Sequence, residues 1–438
     1  MSANVLQTTT PFDFIGGPDK EKLVAEFKGK PLNALRTPAL VVDRAVFKKN
    51  CELMHENAKQ WGDVFRAHVK SHKTAEGTRM QLVSSVDKTD AIVVSTLMEA
   101  YGVVRAGLVA DGTVKDILYG LPVGLNKVQD LSSLWDEIAP FDAVIRLLVD
   151  HPEQVKFLEA FEQTRAQPRQ WSVFIKVDCG SKRAGLQANT PVFQELLQAV
   201  FSSPAVSVHG FYTHGSSSYA STSVSEASSY LTIELEAVNT AAGVALEFLK
   251  SHPELTGPSK PFVIAAGSTP SAHVATAEAR AQIKAHLYGI LEIHAGNYPL
   301  LDLQQVNTSL VDHRRVAQRV LTTVVSYYPG RGKDGTDEAL CDAGAIAMSK
   351  DSGRKPGFGE VLGKPWSLGR ISQEHGVLTQ TGAAEREEDK VKVGDIVEIV
   401  GQHACLILAA YPWYYVVDSD TDSQGEVVED VWVPWKGW

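Results

Sequence analysis

Short hydrophobic runs alternate with longer segments of helical periodicity between about residues 60 and 295, and this alternation constrains the fold more than any other feature of the sequence. Such alternation is typical of parallel strands joined by crossover helices. The runs lie at 64–69, 91–95, 117–119, 144–149, 173–177, 208–213, 262–266 and 290–293. Eight βα units favour a closed barrel over an open sheet, so the sequence predicts an α/β fold built on a TIM-like (β/α)8 barrel.

Beyond residue 318 the alternation gives way to β-rich stretches separated by polar or Gly-rich loops. We therefore expect three parts: an N-terminal arm at 1–36 that packs on the β domain, the barrel at 37–318, and a C-terminal all-β domain at 319–438. The serine-rich segment 216–230 is low in complexity, and we interpret it as a solvated lid or connection.

Composition narrows the class of ligand. The chain has 42 basic and 52 acidic side chains and a formal net charge of -10, which disfavours binding to nucleic acid. No apolar run approaches the length of a membrane span, and the N-terminus lacks the features of a signal peptide. We expect a cytoplasmic protein that acts on small molecules and does not bind membranes. Its four cysteines follow no CxxC spacing and are expected to be free thiols.

A lysine follows the first predicted strand, in the stretch Arg66-Ala67-His68-Val69-Lys70-Ser71-His72-Lys73. Catalytic groups of βα-barrels gather at the carboxyl ends of the strands, so this lysine can face an active site. Alternation along a strand would place His68, Lys70 and His72 on one side. The neighbouring cations would help to keep an amine neutral and nucleophilic, so covalent chemistry at Lys70 and a solvent-facing basic strand end remain about equally plausible from this stretch alone.

Two later strand ends have the composition of a phosphate site. Gly267-Ser268-Thr269-Pro270 joins the seventh strand to a helical segment, and Ala295-Gly296-Asn297-Tyr298 follows the eighth. Backbone N–H groups, hydroxyls and a helix N-terminus bind phosphate, and the loops after strands seven and eight are where barrels often place it. Arg183 and His214, after the fifth and sixth strands, are suited to contact a planar aromatic cofactor, although histidines at strand ends are commonly structural.

The β-rich domain contains the sequence Gly401-Gln402-His403-Ala404-Cys405. We interpret it as part of a strand, in which a spacing of two places His403 and Cys405 on one face. Imidazole with thiolate favours zinc, and two protein ligands would leave positions for water or a substrate oxygen. An isolated His-x-Cys is more commonly a core cysteine beside an incidental histidine.

Together these stretches resemble the fold-type III pyridoxal-phosphate (PLP) enzymes, which have an alanine-racemase-like barrel. Within them the sequence is most similar to the eukaryotic D-serine dehydratase branch of the D-serine dehydratase/D-threonine aldolase family. The resemblance runs from Thr37 to the end of the chain. Its marks are R-A-H-V-K-S-H-K, Tyr212-x-His214, A-G-S-T-P, G-N-Y, the turn Asp342-Ala343-Gly344, Glu374-His375-Gly376 and H-A-C. Ala67 and Ala295 depart from the family, which usually has Pro at both positions.

The resemblance implies a homodimer with a D-amino acid substrate and with PLP and Zn2+ as cofactors. Lys70 would bind the PLP aldehyde covalently, and Tyr212 and His214 would lie near its ring. Around the phosphate would be Gly267, Ser268, Thr269, Gly296, Asn297 and Tyr298. His403 and Cys405 would bind zinc.

The reaction implied is β-elimination of D-serine to pyruvate and ammonia, with Lys70 as the base and zinc as the Lewis acid on the departing hydroxyl. Two alternatives remain. One is retro-aldol cleavage of D-threonine or another β-hydroxy-D-amino acid. By family resemblance, the enzymes that catalyse it have the motif His-x-Asp where this chain has His403-x-Cys405, and the Cys405 thiolate is the softer ligand. The other is a non-catalytic PLP carrier, but such proteins lack an added β domain.

Overall fold

The computed structural model describes residues 9–61, 64–283, 286–383 and 386–438. The strands are β1 (Ala39–Asp43), β2 (Val64–His68), β3 (Ala91–Val94), β4 (Asp116–Pro122), β5 (Val144–Val149), β6 (Trp171–Lys176), β7 (Val206–Tyr212), β8 (Phe262–Ala266), β9 (Gly289–Ala295), β10 (Gln318–Tyr328), β11 (Glu338–Cys341), β12 (Gly359–Val361), β13 (Trp366–Ile371), β14 (Gly376–Gln380), β15 (Ile396–Gly401), β16 (Tyr414–Val417) and β17 (Asp430–Trp432). The α-helices are α1 (Lys20–Phe27), α2 (Arg44–Trp61), α3 (Ala75–Leu82), α4 (Leu97–Arg105), α5 (Val128–Ile138), α6 (Pro152–Glu162), α7 (Pro191–Ser202), α8 (Val224–Ser251), α9 (Thr269–His273), α10 (Ala277–Gln282), α11 (Leu303–Val306), α12 (Ala345–Met348) and α13 (Ala404–Ala410).

Strands β2 to β9 form a closed parallel barrel in chain order, and β9 pairs back onto β2. The predicted eight-stranded barrel is therefore confirmed, and the predicted runs 144–149 and 262–266 have the same bounds as β5 and β8. The interior is filled by a cluster that includes Leu118, Leu148 and Phe174, all fully buried. Because the barrel is filled, a ligand site has to lie at its end, where the loops gather.

The C-terminal domain is a second, largely antiparallel sheet, as expected. Six of its strands close on themselves in the order β10-β15-β12-β13-β14-β11, and β1, β16 and β17 extend the sheet from β10. The main hydrophobic core is continuous from the barrel helices into this domain, with Phe47 and Trp432 among its members. No helix in the described part of the chain has the length and apolar character that crossing a bilayer demands.

The domain boundary expected at residue 37 differs from the structure, because β1 lies in the second sheet. It pairs antiparallel with β10 and parallel with β16. Leu40 and Val42 face the main core, whereas Val41 packs in a smaller cluster with Leu32 and Leu35 of the arm. Both faces of β1 are thus buried, so the barrel proper begins only with α2. Residues 1–8 of the arm lie outside the described residues.

The interpretation of 401–405 as a strand was wrong. Strand β15 ends at Gly401, His403 precedes the first turn of α13, and Cys405 lies within that turn. Alanine and leucine favour a helix, and the buried residues Ala404, Ile407 and Leu408 follow the i, i+3, i+4 spacing of a helix face. The site therefore stands at a strand-to-helix junction.

Candidate active site

A cavity opens at the carboxyl end of the barrel strands. Nine of the predicted site residues line it. They are Lys70, Arg183, Tyr212, His214, Gly267, Ser268, Thr269, Gly296 and Asn297. The structure thus brings together side chains from five strand ends that are far apart in sequence.

Lys70 is half-buried in the turn that follows β2. Its backbone N–H donates to Nδ1 of His68, 3.4 Å away, and His68 also lines the cavity. Burial, reinforced by the Lys70 cation, holds the pKa of His68 well below its usual range, so this imidazole is neutral. Lys73 is engaged elsewhere, because its Nζ lies 3.0 Å from a carboxylate oxygen of the buried Glu99.

The expected alternation of His68, Lys70 and His72 was wrong beyond β2, because the strand ends at His68. His72 is fully buried away from the cavity, with Nε2 2.8 Å from the Gln81 side chain and its ring packed on Phe47. It is a structural histidine.

Sequence reasoning missed a second cavity lysine, Lys176, at the end of β6. Its Nζ lies 4.6 Å from the centre of the Tyr212 ring, and burial lowers its pKa to about 8. It ends a strand of mostly apolar residues, a pattern that predicts only barrel core. The cavity therefore contains two amines, Lys70 and Lys176.

The turn after β8 packs closely against β9, the last barrel strand. Gly267 has φ +135°, and a Cβ there would lie 2.4 Å from the His294 carbonyl oxygen, so only glycine fits. Ser268 caps α9 by accepting from the Ser271 N–H. Helix α9 has five residues, so hydroxyls and backbone N–H groups, more than a helix dipole, are the groups this turn offers a phosphate.

Of the three residues predicted in the loop after β9, two line the cavity and one does not. Gly296 and Asn297 line the cavity, and the Asn297 backbone N–H donates to Thr269 Oγ1 at 3.0 Å. Tyr298 does not: its ring is fully buried against Phe65, 5.8 Å between ring centres, so its expected place beside the phosphate was wrong. Its apolar ring is better accommodated in the core than beside a charged ligand.

Aromatic rings also line the cavity, among them His294, a histidine that sequence reasoning missed. Tyr212 stacks on His294 with 4.5 Å between ring centres. His294 Nε2 lies 2.6 Å from Glu292, while its buried Nδ1 has no hydrogen-bond partner and the residue lines the cavity. His214 donates from Nδ1 to the Gly267 carbonyl at 3.0 Å, and burial lowers its pKa to about 3. Arg183 lies at the exposed rim.

His403 and Cys405 form an electrostatically interacting pair, although no strand holds them. Burial opposes both charges, but their mutual interaction prevails: it raises the pKa of His403 to about 9 and lowers that of Cys405. Asp351 fixes the imidazole, since its Oδ2 lies 2.6 Å from His403 Nδ1. Among the described residues, no three His, Cys, Asp or Glu side chains gather as a metal cluster.

The barrel lysine and the His-Cys pair meet through one residue. Ser71, which follows Lys70 in the chain, has its Oγ 2.9 Å from Cys405 Sγ. The Lys70 cation also lowers the pKa of Cys405, which places the two groups within electrostatic reach. Buried Asp302 accepts from both Asn297 Nδ2 and the Ala404 N–H, at 2.6 and 2.8 Å. The two predicted centres therefore belong to one site.

The interpretation of segment 216–230 as solvated was wrong in part, because Ser218 and Ser221 are buried and α8 begins at Val224. The first residues of the segment form a 3-10 helix, Ser216–Ala220, whose Tyr219 lines the cavity and whose Ser218 Oγ lies 2.7 Å from Ser268 Oγ. Only the aromatic residue among small polar ones signalled this role.

Comparison with known proteins assigns both halves of the chain. Residues 42–252 match the alanine racemase N-terminal domain, and residues 317–417 match a family described as "Putative serine dehydratase domain". The fold is therefore that of an alanine-racemase-like barrel enzyme with a serine dehydratase-type β domain.

Individual relatives extend over nearly the whole chain. D-serine dehydratase of Schizosaccharomyces pombe is 38% identical over 96% of both chains, and that of Saccharomyces cerevisiae is 34% identical over 95% of this chain and 99% of its own. A solved cysteine-to-alanine variant of D-threo-3-hydroxyaspartate dehydratase, in metal-free form, superposes with a TM-score of 0.75 and 27% identity over 93% of this chain and 100% of its own. The chain belongs to the D-serine dehydratase family and is a lyase.

Proposed function

We propose that the protein catalyses PLP- and zinc-dependent β-elimination of D-serine to pyruvate and ammonia. The observation that carries this proposal is the contact of Ser71 with Cys405, which brings the His-Cys pair next to the cavity lysine. A base and a Lewis acid that share a β-hydroxy amino acid need this proximity. The fungal relatives named D-serine dehydratases support the choice of substrate.

The residues fit PLP. The cavity provides the amine of Lys70 for the aldehyde, and Ser268, Thr269, Gly296 and Asn297 for the phosphate. Buried polar atoms without partners, His294 Nδ1 and Asn297 Oδ1, belong to residues that line the same cavity, as expected where a polar ligand completes them. When bound, PLP supplies the electron sink that stabilises negative charge at the substrate α-carbon.

The donor set fits a soft divalent ion. A thiol with a lowered pKa beside an imidazole held by Asp351 offers one sulfur and, at Nε2, one nitrogen. When bound, zinc supplies the Lewis acid that lets hydroxide leave.

The chain's own groups then perform the proton chemistry. Lys70 takes the α-proton of D-serine, since His68 and His214, the imidazoles that line the cavity with it, have lowered pKa values and are poor bases. Loss of the α-proton and the β-hydroxyl gives aminoacrylate and water. Aminoacrylate then takes up water in solution to give pyruvate and ammonia.

The amine is tested by borohydride reduction, which makes the bond between PLP and its lysine permanent, followed by peptide mass analysis. We expect the reduced PLP group, which serves as the label, on Lys70, and we expect Lys70→Arg to remove both this label and the activity. Lys176→Arg, in the same cavity, is the matched control and should keep the label on Lys70. A label on Lys176 or Lys73 would overturn the assignment.

The metal is tested by assaying D-serine with and without a chelator. Zinc removal should abolish pyruvate formation while the absorbance of bound PLP remains, and zinc should restore activity. Full activity in a zinc-free preparation would refute the role of the metal. Glycine and an aldehyde as products from D-threonine, without pyruvate from D-serine, would establish retro-aldol cleavage instead.

A further inference from the structure

Three serine hydroxyls form a hydrogen-bonded chain at the turn after β8, where the phosphate is predicted to bind. The chain ends at a buried carboxyl group. Ser218 Oγ lies 2.7 Å from Ser268 Oγ, which lies 3.1 Å from Ser271 Oγ. Ser271 Oγ is in turn 3.1 Å from Oε1 of Glu234, on helix α8. We call Ser218, Ser268 and Ser271 the hydroxyl relay. All three serines and Glu234 are buried, but only Ser268 lines the cavity.

Glu234 has little to stabilise a negative charge. It is 1% exposed and its Oε2 has no hydrogen-bond partner; its charge is favoured by two hydrogen-bond donors, the Ser271 hydroxyl and the Gly215 N–H, and by the charge of Lys176. Burial outweighs these two donors and raises its pKa to about 8. The carboxyl is therefore largely protonated at neutral pH and ionises just above it.

The protonation state of Glu234 determines the direction in which hydrogen bonds are donated along the hydroxyl relay. An ionised carboxylate can only accept, so the Ser271 hydroxyl donates to Glu234, and the Ser268 hydroxyl donates to Ser271. A protonated carboxyl can donate to Ser271, which then donates to Ser268. In the second arrangement Ser271 is no longer an acceptor for the Ser268 proton. Ser218 donates its own proton to the Gly215 carbonyl at 3.0 Å, so it can accept the Ser268 proton at 2.7 Å until a ligand in the cavity takes its place.

We propose that Glu234 is a positioning residue whose proton orients the hydroxyl relay, so that Ser268 donates to the cofactor phosphate only while Glu234 is protonated. This inference rests on the proposed use of PLP. Phosphate binding above pH 8 then requires uptake of a proton by Glu234, so affinity falls as the pH rises through that range.

Other titratable groups face Glu234 from the neighbouring elements. Lys176, at the end of β6, is attracted by it, and its own pKa of about 8 means that its charge is lost over the same range. Tyr212 of β7 and Tyr219 of the 3-10 helix also feel its charge, but burial raises the pKa of both hydroxyls, so they stay neutral. A comparison of variants at fixed pH is needed to separate Glu234 from Lys176.

The experiment measures the dissociation constant of PLP from the full-length protein, freed of cofactor, at about pH 7 and about pH 9. In Glu234→Gln the amide keeps a donor for Ser271 at every pH. Wild-type protein and this variant should bind PLP alike near pH 7, and wild-type affinity should fall roughly tenfold more than that of the variant by pH 9. Pyridoxal, which lacks the phosphate, should show no such difference between the two proteins.

Ser268→Ala separates the relay from simple charge repulsion. This variant should bind PLP more weakly at pH 7 but lose the part of the pH dependence that Glu234→Gln removes. If it keeps that dependence, or if the pH profiles of wild-type protein and Glu234→Gln run parallel, the proposal is overturned. Failure of wild-type protein to bind PLP at pH 7 would instead refute the proposed function.

Discussion

The imidazole of His403 is oriented by a neighbour that sequence reasoning did not find. Asp351 accepts from Nδ1, so Nε2 is the nitrogen that would bind the proposed zinc. A carboxylate in this position fixes the ring and increases its basicity. Substituting such partners typically lowers metal affinity about 10–100-fold.

Asp351→Asn should therefore lower zinc affinity by roughly that factor while the fold is retained. Competition with a chromophoric chelator measures the affinity directly. Asp312→Asn, at an exposed carboxylate paired with Arg314, is the matched control and should leave zinc binding unchanged. Equal affinities of wild-type protein and Asp351→Asn would show that the contact is incidental.

Some residues that belong to a motif were placed correctly from the sequence, but Tyr298 of the motif G-N-Y was not, and residues outside any motif were missed. Lys70, Ser268 and Thr269 follow predicted strands, so their position at the mouth of the barrel followed from the fold. Asp351 lies 52 residues from His403 in a loop rich in Gly and Lys, and nothing in its local pattern points to a partner. Long-range pairs of this kind depend on loop paths, which hydrophobic periodicity does not encode.

At the scale of elements, three barrel strands are joined by one buried arginine. Arg66 of β2 donates to both oxygens of Glu292 on β9, at 2.8 and 3.2 Å, and to Asp116 on β4 at 2.7 Å. Arg66 is 1% exposed. Burial alone would raise the pKa of Glu292, but the arginine holds it well below its usual range, so both partners remain charged.

Arg66→Met should destabilise the protein by about 3–5 kcal/mol, because it leaves Glu292 charged in the core with His294 as its remaining hydrogen-bond partner. The free energy of unfolding in urea tests this value. Arg79→Met removes a surface ion pair with Asp111 and should cost no more than about 1 kcal/mol. Similar losses in the two variants would contradict the structural role of Arg66, and adding Glu292→Gln to Arg66→Met should recover part of its loss.

Elements with a strong period were predictable, and short ones were not. The barrel strands combine β-branched residues with a regular spacing of helices, and a closed barrel is the simplest arrangement of eight such units. The stretch from Cys405 to Ala410 is too short for its helical period to be distinguished from a buried strand. Only the packing of α13 on the domain core resolves it.

The whole molecule is held by a core that crosses the domain boundary. Val42 of β1 lies in the same buried cluster as the barrel helices and as Val397 of the second sheet. Residues packed in one continuous core are expected to lose their structure together.

We therefore expect the barrel strands and the C-terminal sheet to lose amide-exchange protection at the same urea concentration, as measured by hydrogen–deuterium exchange mass spectrometry. Val42→Ala, at a fully buried position of β1, should cost roughly 2 kcal/mol and lower both midpoints together. Earlier loss of protection in the sheet would show that the two domains unfold independently. Val325→Ala, at an exposed position of β10, serves as the control.

The boundary error at residue 37 has a physical origin. Ala39–Asp43 precedes the barrel in the chain and has the composition of any buried strand. Its partners β10 and β16 lie some 280 and 370 residues further on, judged by the pairs Ala39 with Leu321 and Val41 with Tyr415. Sequence pattern identifies a strand but not a partner at such a distance.

The position of β1 also has a consequence for biosynthesis. On the ribosome this strand emerges before the barrel, while both of its neighbours are made only after the barrel is complete. Nascent chains interrupted at that stage carry all eight barrel strands and an unpaired ribbon of aliphatic residues, the kind of edge that recruits other chains. Chains of this protein that stall late in translation should therefore require chaperones more than chains that stall early.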